Sequence, residues 1–254
     1  MTRTLTIRPR TSLSFAGCAW LLPYHLGVIA AWRMQGRLEH AEFLGASSGA
    51  LAATIAAVGI APERILERVL FFAKDSEDRR LGPAGRMSRY VREGLRGELP
   101  HDAPGLARGR LKISVTVLPT LRHELVDAGD CHDNEDLIHL LLGSCYIPLY
   151  YEKPVRWQGR WLIDGGVRNN QPKTGPHTIT VSPFPSAHIR PDYAPPRRDV
   201  LMPHQGRMED LFHRGQRDGE RFLRGHWQTG LIDAPQPDQS AACAWEPILD
   251  PSVG

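Results

Sequence analysis

Two short stretches carry residues whose types and spacing suit ester chemistry. The first is Gly45-Ala46-Ser47-Ser48-Gly49, a G-x-S-x-G pattern with Ser47 at its centre. A short apolar run (Glu42 to Leu44) precedes it and an Ala-rich apolar run (Ala50 to Val58) follows it. That order predicts a strand, a sharp turn with the serine at its apex, and a buried helix. Gly45 and Gly49 suit a turn crowded by neighbouring backbone. The start of the helix directs its dipole and free N–H groups at a centre where negative charge develops. A serine hydroxyl is a weak nucleophile and needs a base. The second stretch, Asp164-Gly165-Gly166, supplies one. Asp164 closes the run Trp161 to Ile163, which reads as a strand, and open α/β sheets gather ligands at the carboxyl ends of their strands. Gly165 and Gly166 leave room for close approach. Each stretch alone also fits a small-residue turn.

These turns need elements to hold them. Ser12 to Ala16 reads as the first strand, Gly17 to Trp20 as a loop, and Pro23 as an early residue of a helix that runs to about Arg33. Pro23 also predicts extended geometry for Leu22, as at an N-cap. Pro62 to about Lys74 forms a helix with Ile65, Leu66, Val69 and Leu70 on one face, and the charges from Asp75 to Arg80 read as a solvated loop. Met87 to Leu95 reads as a short helix, and the alternation from Leu111 to Leu118 as a strand. The cluster around Asp130 to Asp136 reads as a helix start, with Asp133 or Asn134 as N-cap, rather than as a metal site, because its acids match no calcium-loop spacing. Thr178 to Val181 is a further strand, Pro183 to Pro203 an irregular loop, and Met208 to Gly225 an amphipathic helix. The pattern predicts an α/β fold of three layers, α/β/α, around a mostly parallel central sheet. Residues 1–232 form the domain and 233–254 an irregular, poorly ordered tail.

Composition narrows the function classes. A 254-residue chain that is 41% hydrophobic has material for one large core. A net charge of +3, with acids interspersed among the C-terminal arginines, argues against nucleic acid. Cys18, Cys131, Cys145 and Cys243 show no metal spacing and read as reduced thiols of a cytoplasmic protein. Arg3, Arg8 and Arg10 before the apolar stretch from Leu13 to Trp32 look like a signal peptide or a membrane span, but Gly17, Pro23, Tyr24, His25 and Gly27 interrupt that stretch.

The motifs in their order resemble the patatin-like phospholipases, closest to the adipose triglyceride lipase and adiponutrin branch. The resemblance covers most of the chain. It is carried by Ser14-Phe15-Ala16-Gly17-Cys18, Tyr24 with Gly27-Val28, Gly45 to Ala50, Asp136-Leu137-Ile138 and Ile147 to Tyr150. Asp164-Gly165-Gly166 with Asn170 and Pro172, Thr178 to Phe184 and Arg217 to Leu223 continue it. It implies a Ser–Asp dyad: Ser47 attacks an ester carbonyl, Asp164 takes its proton and later helps activate water against the acyl-enzyme. It also implies an oxyanion hole from the backbone N–H groups of Gly17, Cys18 and Ala19. The implied substrates are lipid esters, phospholipids or acylglycerols, met at a membrane or lipid surface; no metal or other cofactor is implied.

The chain departs from the pattern in its first loop. The branch has G-C-G-x-x-G, and Ala19 and Leu22 replace two of those glycines. If position 19 needs φ > 0, alanine costs about 1–2 kcal/mol there, less than the ~2.7–4 kcal/mol that one oxyanion donor contributes. The segment between Asn170 and Thr178 also looks shorter than in the family. Two other readings stand beside the hydrolase: a catalytically weak or inactive lipid-binding protein that keeps the fold, and a Ser-His-Asp esterase using His177 or His188. Residues around Trp20-Leu21-Leu22 or Tyr146 to Tyr151 are expected to help form an acyl channel.

Overall fold

The structure, a computed structural model, describes residues 11–227. The arginines ahead of residue 11, Cys243 and the tail expected from residue 233 lie outside the described residues. The elements in chain order are β1 (Ser12–Phe15), a 3-10 turn (Ala19–Leu21), α1 (Leu22–Met34), β2 (Glu42–Ala46), α2 (Ser48–Val58), α3 (Pro62–Glu77), α4 (Met87–Arg96), α5 (Ala103–Ala107) and β3 (Leu111–Leu118). There follow β4 (Arg122–Asp127), α6 (Asn134–Cys145), β5 (Val155–Trp157), β6 (Arg160–Asp164), α7 (Gly166–Asn169), β7 (Thr178–Val181), α8 (Arg198–Leu201) and α9 (Gln205–Trp227).

The α/β architecture and its mostly parallel sheet are those expected. Hydrogen-bonded pairing runs β5-β6-β3-β2-β1-β7, with β4 also on β3. The centre, β3-β2-β1-β7, is all parallel, while β4 and β6 run antiparallel to β3.

The register has a consequence for β3. Its Lys112–Val117 stretch pairs with β4 along one edge. A strand has only two edges, so β2 and β6 must share the other. β2 takes its first half, ending with Ala46 opposite Ser114, and β6 takes its second half, ending with Asp164 opposite Val115. Two strands running toward each other therefore end at adjacent positions of β3.

The apolar stretch from Leu13 to Trp32 is a central strand followed by a helix buried along almost its whole length. No described helix is long and apolar enough to cross a membrane. Helix α1 is buried on all sides because α9 packs on it nearly backbone to backbone. A Cβ at Gly27 would lie 1.9 Å from the Phe212 carbonyl oxygen, and one at Gly215 2.0 Å from that of Tyr24. The Tyr24 hydroxyl donates to the buried Asp218 carboxylate at 3.0 Å, closing the same contact.

Several expectations need correction. α3 continues through Asp75 to Glu77, where a solvated loop was expected; Ser76 is buried and donates to Ala73 O, so the end of the helix packs. Leu22 is helical (φ −44°, ψ −39°), not extended. The preceding 3-10 turn already sets the chain turning, and Leu22 is buried, which outweighs the crowding by Pro23. The expected helix start is borne out: of the two candidates, Asp133 is the N-cap of α6, its side chain accepting the Asp136 N–H at 2.8 Å. Elements β4, β5 and α5 had no counterpart in the sequence reading, and a helical turn, α8, interrupts the proline-rich loop.

The α1–α9 contact generates a test. A methyl group at Gly27 must push α9 away, so Gly27→Ala should lower unfolding stability by about 1–3 kcal/mol. An unchanged urea midpoint would show that the helices are not packed this closely.

Candidate active site

Ser47 occupies the turn between β2 and α2. Its backbone, φ 54° and ψ −132°, lies in a region that side chains rarely adopt. The flanking glycines are required by close approach rather than by φ: a Cβ at Gly45 would lie 2.2 Å from the Gly49 carbonyl oxygen, and one at Gly49 2.1 Å from that of Phe15. The turn is pinned from below. The Ser47 N–H donates to the Ser144 hydroxyl at 3.0 Å, and that hydroxyl donates to the Ser114 carbonyl on β3 at 2.7 Å. Ser144 is wholly buried in the last turn of α6.

Asp164 ends β6, and its carboxylate lies close enough to the Ser47 side chain for that side chain to act on its pKa. The carboxylate also accepts the Gly166 N–H at 2.7 Å. Burial raises its pKa above the ordinary carboxylate value, and the Ser47 side chain and the Gly166 N–H partly oppose that rise. A Cβ at Gly165 would lie 2.1 Å from the Ser114 carbonyl oxygen, so this turn sits directly against β3. The buried Cys145 lies beside this pair, and burial raises its thiol pKa, with the Tyr151 and Ser47 side chains partly opposing that rise.

The loop after β1 meets both turns. Asn170 clamps it: the Gly17 N–H donates to Asn170 O at 3.2 Å, and the Asn170 side chain donates to Gly17 O at 3.1 Å. The Cys18 N–H donates to the Ser48 hydroxyl at 2.9 Å. Among the described residues the backbone hydrogen bonds leave the Ala19 N–H unused. Ala19 does adopt positive φ, at 47°. Two of the three N–H groups nominated for an oxyanion are thus engaged within the protein in this conformation.

The histidines stand apart from this pair. His177 is exposed, and the His188 ring Nδ1 accepts the Thr180 N–H at 3.0 Å on β7, the strand at the sheet's other edge. His25 donates from Nε2 to the Ala16 carbonyl at 2.8 Å, and burial lowers its pKa to about 4. It is a neutral brace beneath the Gly17 loop.

Ser47 opens into an apolar cavity of about 770 Å³, part of it continuous with solvent. Trp20, Leu22, Phe72, Val91, Ile147 and Tyr150 are among its walls. Of the residues expected around an acyl channel, Leu21 faces a different depression. The Trp20 indole N–H donates to the Tyr150 hydroxyl at 2.8 Å, and that hydroxyl donates to Leu201 O at 2.7 Å. A strained serine, a desolvated carboxylate beside it and an apolar cavity next to them together suit acyl transfer from an ester.

The patatin-like phospholipase family profile matches residues 13–174, which hold both turns. The chain belongs to the patatin-like phospholipase family. It is 36% identical over 185 residues to human patatin-like phospholipase domain-containing protein 4, covering 68% of this chain and 71% of that protein. It is 33% identical over 189 residues to mouse 1-acylglycerol-3-phosphate O-acyltransferase Pnpla3, covering 70% of this chain and 45% of that protein. Bovine patatin-like phospholipase domain-containing protein 2 is 30% identical over 262 residues, covering 89% of this chain and 52% of that protein. The chain thus spans about half the length of the last two. VipD from Legionella pneumophila shares the fold, with a TM-score of 0.53 at 13% identity over 86% of this chain and 67% of VipD.

Ser144 and Ser48 escaped the sequence reading as contributors to this patatin-like site. Ser144 follows an apolar helical run with nothing to mark it, and only the folded register brings it under Ser47. Its hydroxyl accepts a buried N–H in a strained turn. Ser144→Ala should therefore cost about 1–3 kcal/mol of stability, read by chemical denaturation. A change within a few tenths would mean that Ser47 holds its turn without this support.

Proposed function

We propose that this chain is a serine hydrolase of lipid carboxylic esters, acting on glycerolipids at a membrane or lipid surface through a Ser47–Asp164 dyad. The observation that carries the reading is the sheet register that ends β2 and β6 at adjacent positions of β3, which sets the Ser47 side chain close enough to the buried Asp164 carboxylate to lower its pKa, with Ser47 lining an apolar cavity. Asp164 takes the hydroxyl proton as Ser47 Oγ attacks the ester carbonyl carbon. The carbonyl π electrons move onto oxygen, and N–H groups of the Gly17-Cys18-Ala19 loop receive that charge. Collapse breaks the ester C–O bond, and the proton passes from Asp164 to the departing alkoxide. Water then attacks the acyl carbon and gives a proton to Asp164; the acyl–Oγ bond breaks, Asp164 returns that proton to Ser47 Oγ, and the fatty acid leaves. An alcohol in place of water would give acyl transfer, the activity in the name of mouse Pnpla3. A raised carboxyl pKa makes Asp164 a better base than a surface carboxylate. The cavity walls accept the acyl chain.

Two variants test the dyad. Ser47→Ala should abolish labelling by a fluorophosphonate probe together with turnover of a short-chain nitrophenyl ester. Asp164→Asn should abolish turnover without loss of stability. The folded pKa of Asp164 exceeds its unfolded value, so ionisation of this group destabilises the fold as pH rises through that interval. At neutral pH Asp164→Asn should therefore be at least as stable as wild type. That advantage should fade as pH falls below the folded pKa, and the acid limb of kcat/KM should lie above the ordinary aspartate range. Robust turnover by either variant would end the assignment.

A second reading, a lipid binder with little catalysis, draws on the Cys18 N–H already held by Ser48. In the hydrolase reading the carbonyl oxygen must displace that hydroxyl. Removing the competitor should then raise kcat/KM of Ser48→Ala about 2–10-fold, the equivalent of one ordinary hydrogen bond. Wild type that binds lipid, fails to label and stays silent after Ser48→Ala would favour the binder.

A further inference from the structure

Leu149 combines two costs. It is 97% exposed, and it is a leucine at φ 69°. A side chain with a γ-branch is rarely held in the left-handed region without a return, and within this chain Leu149 is left almost entirely in solvent. Its neighbours Ile147 and Tyr150 line the cavity that Ser47 opens into.

Two other segments adjoin it. The Gly85 N–H donates to the Tyr150 carbonyl at 2.9 Å, bringing in the turn that carries Leu81, which is 72% exposed. The Tyr150 hydroxyl donates to Leu201 O, bringing in Leu201 and Met202, 45% and 50% exposed. Met202 in turn lies under Gly82: a Cβ there would meet its Cε at 2.8 Å. The same segments carry Arg79, Arg80, Arg86, Lys153, Arg197 and Arg198. Arg86 lies 4.0 Å from Asp75 and Arg198 3.7 Å from Asp199; Glu152 accepts the N–H groups of Ser88 and Arg89, and Asp199 is also held by two hydrogen bonds from Arg207.

We propose that residues 79–86, 147–153 and 197–202 form the face by which this chain seats on an anionic lipid surface, with Leu149 as the inserted side chain. The proposal rests on the lipid-ester reading above. A lipid surface answers all three observations at once. It offers an apolar phase for separate leucines at the rim, anionic headgroups for the cations, and an ester-bearing acyl chain for the cavity behind Tyr150. A basic, apolar-tipped rim gains from both burial and surface potential.

The test is flotation of the full chain with phosphatidylcholine vesicles, with and without phosphatidylserine, alongside turnover of a soluble short-chain nitrophenyl ester. Wild type should float with the phosphatidylserine vesicles and less so as salt rises. Leu149→Gly, which also relieves the positive φ, should fold normally and bind vesicles about 10-fold more weakly, with soluble-ester turnover unchanged. Arg80→Glu with Arg197→Glu should remove the preference for phosphatidylserine. Leu149→Gly floating like wild type would overturn the proposal. So would sedimentation showing a wild-type dimer that Leu149→Gly dissolves, since the face would then belong to a second copy. Absence of turnover in wild type with salt-sensitive flotation intact would remove the hydrolase reading and leave the face standing.

Discussion

One edge of β3 holds this site together. β2 and β6 share that edge from opposite directions, and their last residues stand opposite Ser114 and Val115. Chain that leaves either strand has to turn away from the sheet at the junction, because the other strand blocks its path. The residue that turns out of β2 is Ser47, and the last residue of β6 is Asp164. A hydroxyl and a carboxylate separated by more than a hundred residues are thereby brought to neighbouring positions without any loop having to hold them. Positions fixed by a sheet register are more accurate than positions on loops.

The junction is crowded, and the crowding explains the small residues around it. Backbone runs against backbone where Gly45 meets Gly49, where Gly49 meets Phe15 and where Gly165 meets Ser114. Side chains there are short and hydrogen-bonded. Ser144 joins the Ser47 N–H to the Ser114 carbonyl, while the Ser114 hydroxyl donates to Asn169 O and accepts from His123 Nε2. Buried polar groups are tolerable in such a place because they satisfy one another. The same logic joins the loop after β1 to α7 through the two hydrogen bonds of Asn170.

Much of this was legible in the sequence, for specific reasons. G-x-S-x-G is informative when an apolar run of strand length precedes it and a small-residue helix follows, and Glu42 to Val58 has that form. Alternation exposed β3, and Pro62 and Asp133 marked helix starts. The misses share a cause. β4 begins Arg122-His123-Glu124, which reads as polar loop, because an edge strand exposes one side and its identity comes from pairing with β3. β5 is only three residues, too short to show a period. The end of α3 looks like a charge cluster until Ser76 is seen packed inward. Ser144 and Ser48 matter through partners that linear order does not reveal. Leu22 shows tertiary burial overriding a local rule about proline.

Strain and desolvation coincide at this site, while Leu121, Leu149 and Gln158 also lie at positive φ away from it. Ser47 and Ala19 both lie at positive φ, and the Asp164 carboxylate sits among buried groups that raise its pKa. Each feature lowers stability, by about 1–3 kcal/mol for a backbone outlier, and none improves packing. A fold can hold them only if what surrounds them is rigid. Here that is a parallel sheet with fully buried Phe15, Phe43 and Ile113, and helix α1 locked to α9 through glycine contacts. The Cys18 N–H resting on Ser48 fits the same account. In the proposed reaction the Cys18 N–H would be a buried unpaired donor before substrate arrives, and the Ser48 hydroxyl satisfies it in that interval. In that reaction the exchange would soften the transition-state gain by about the strength of the bond given up, which would set the loop's stability at rest against its electrophilic strength at one serine.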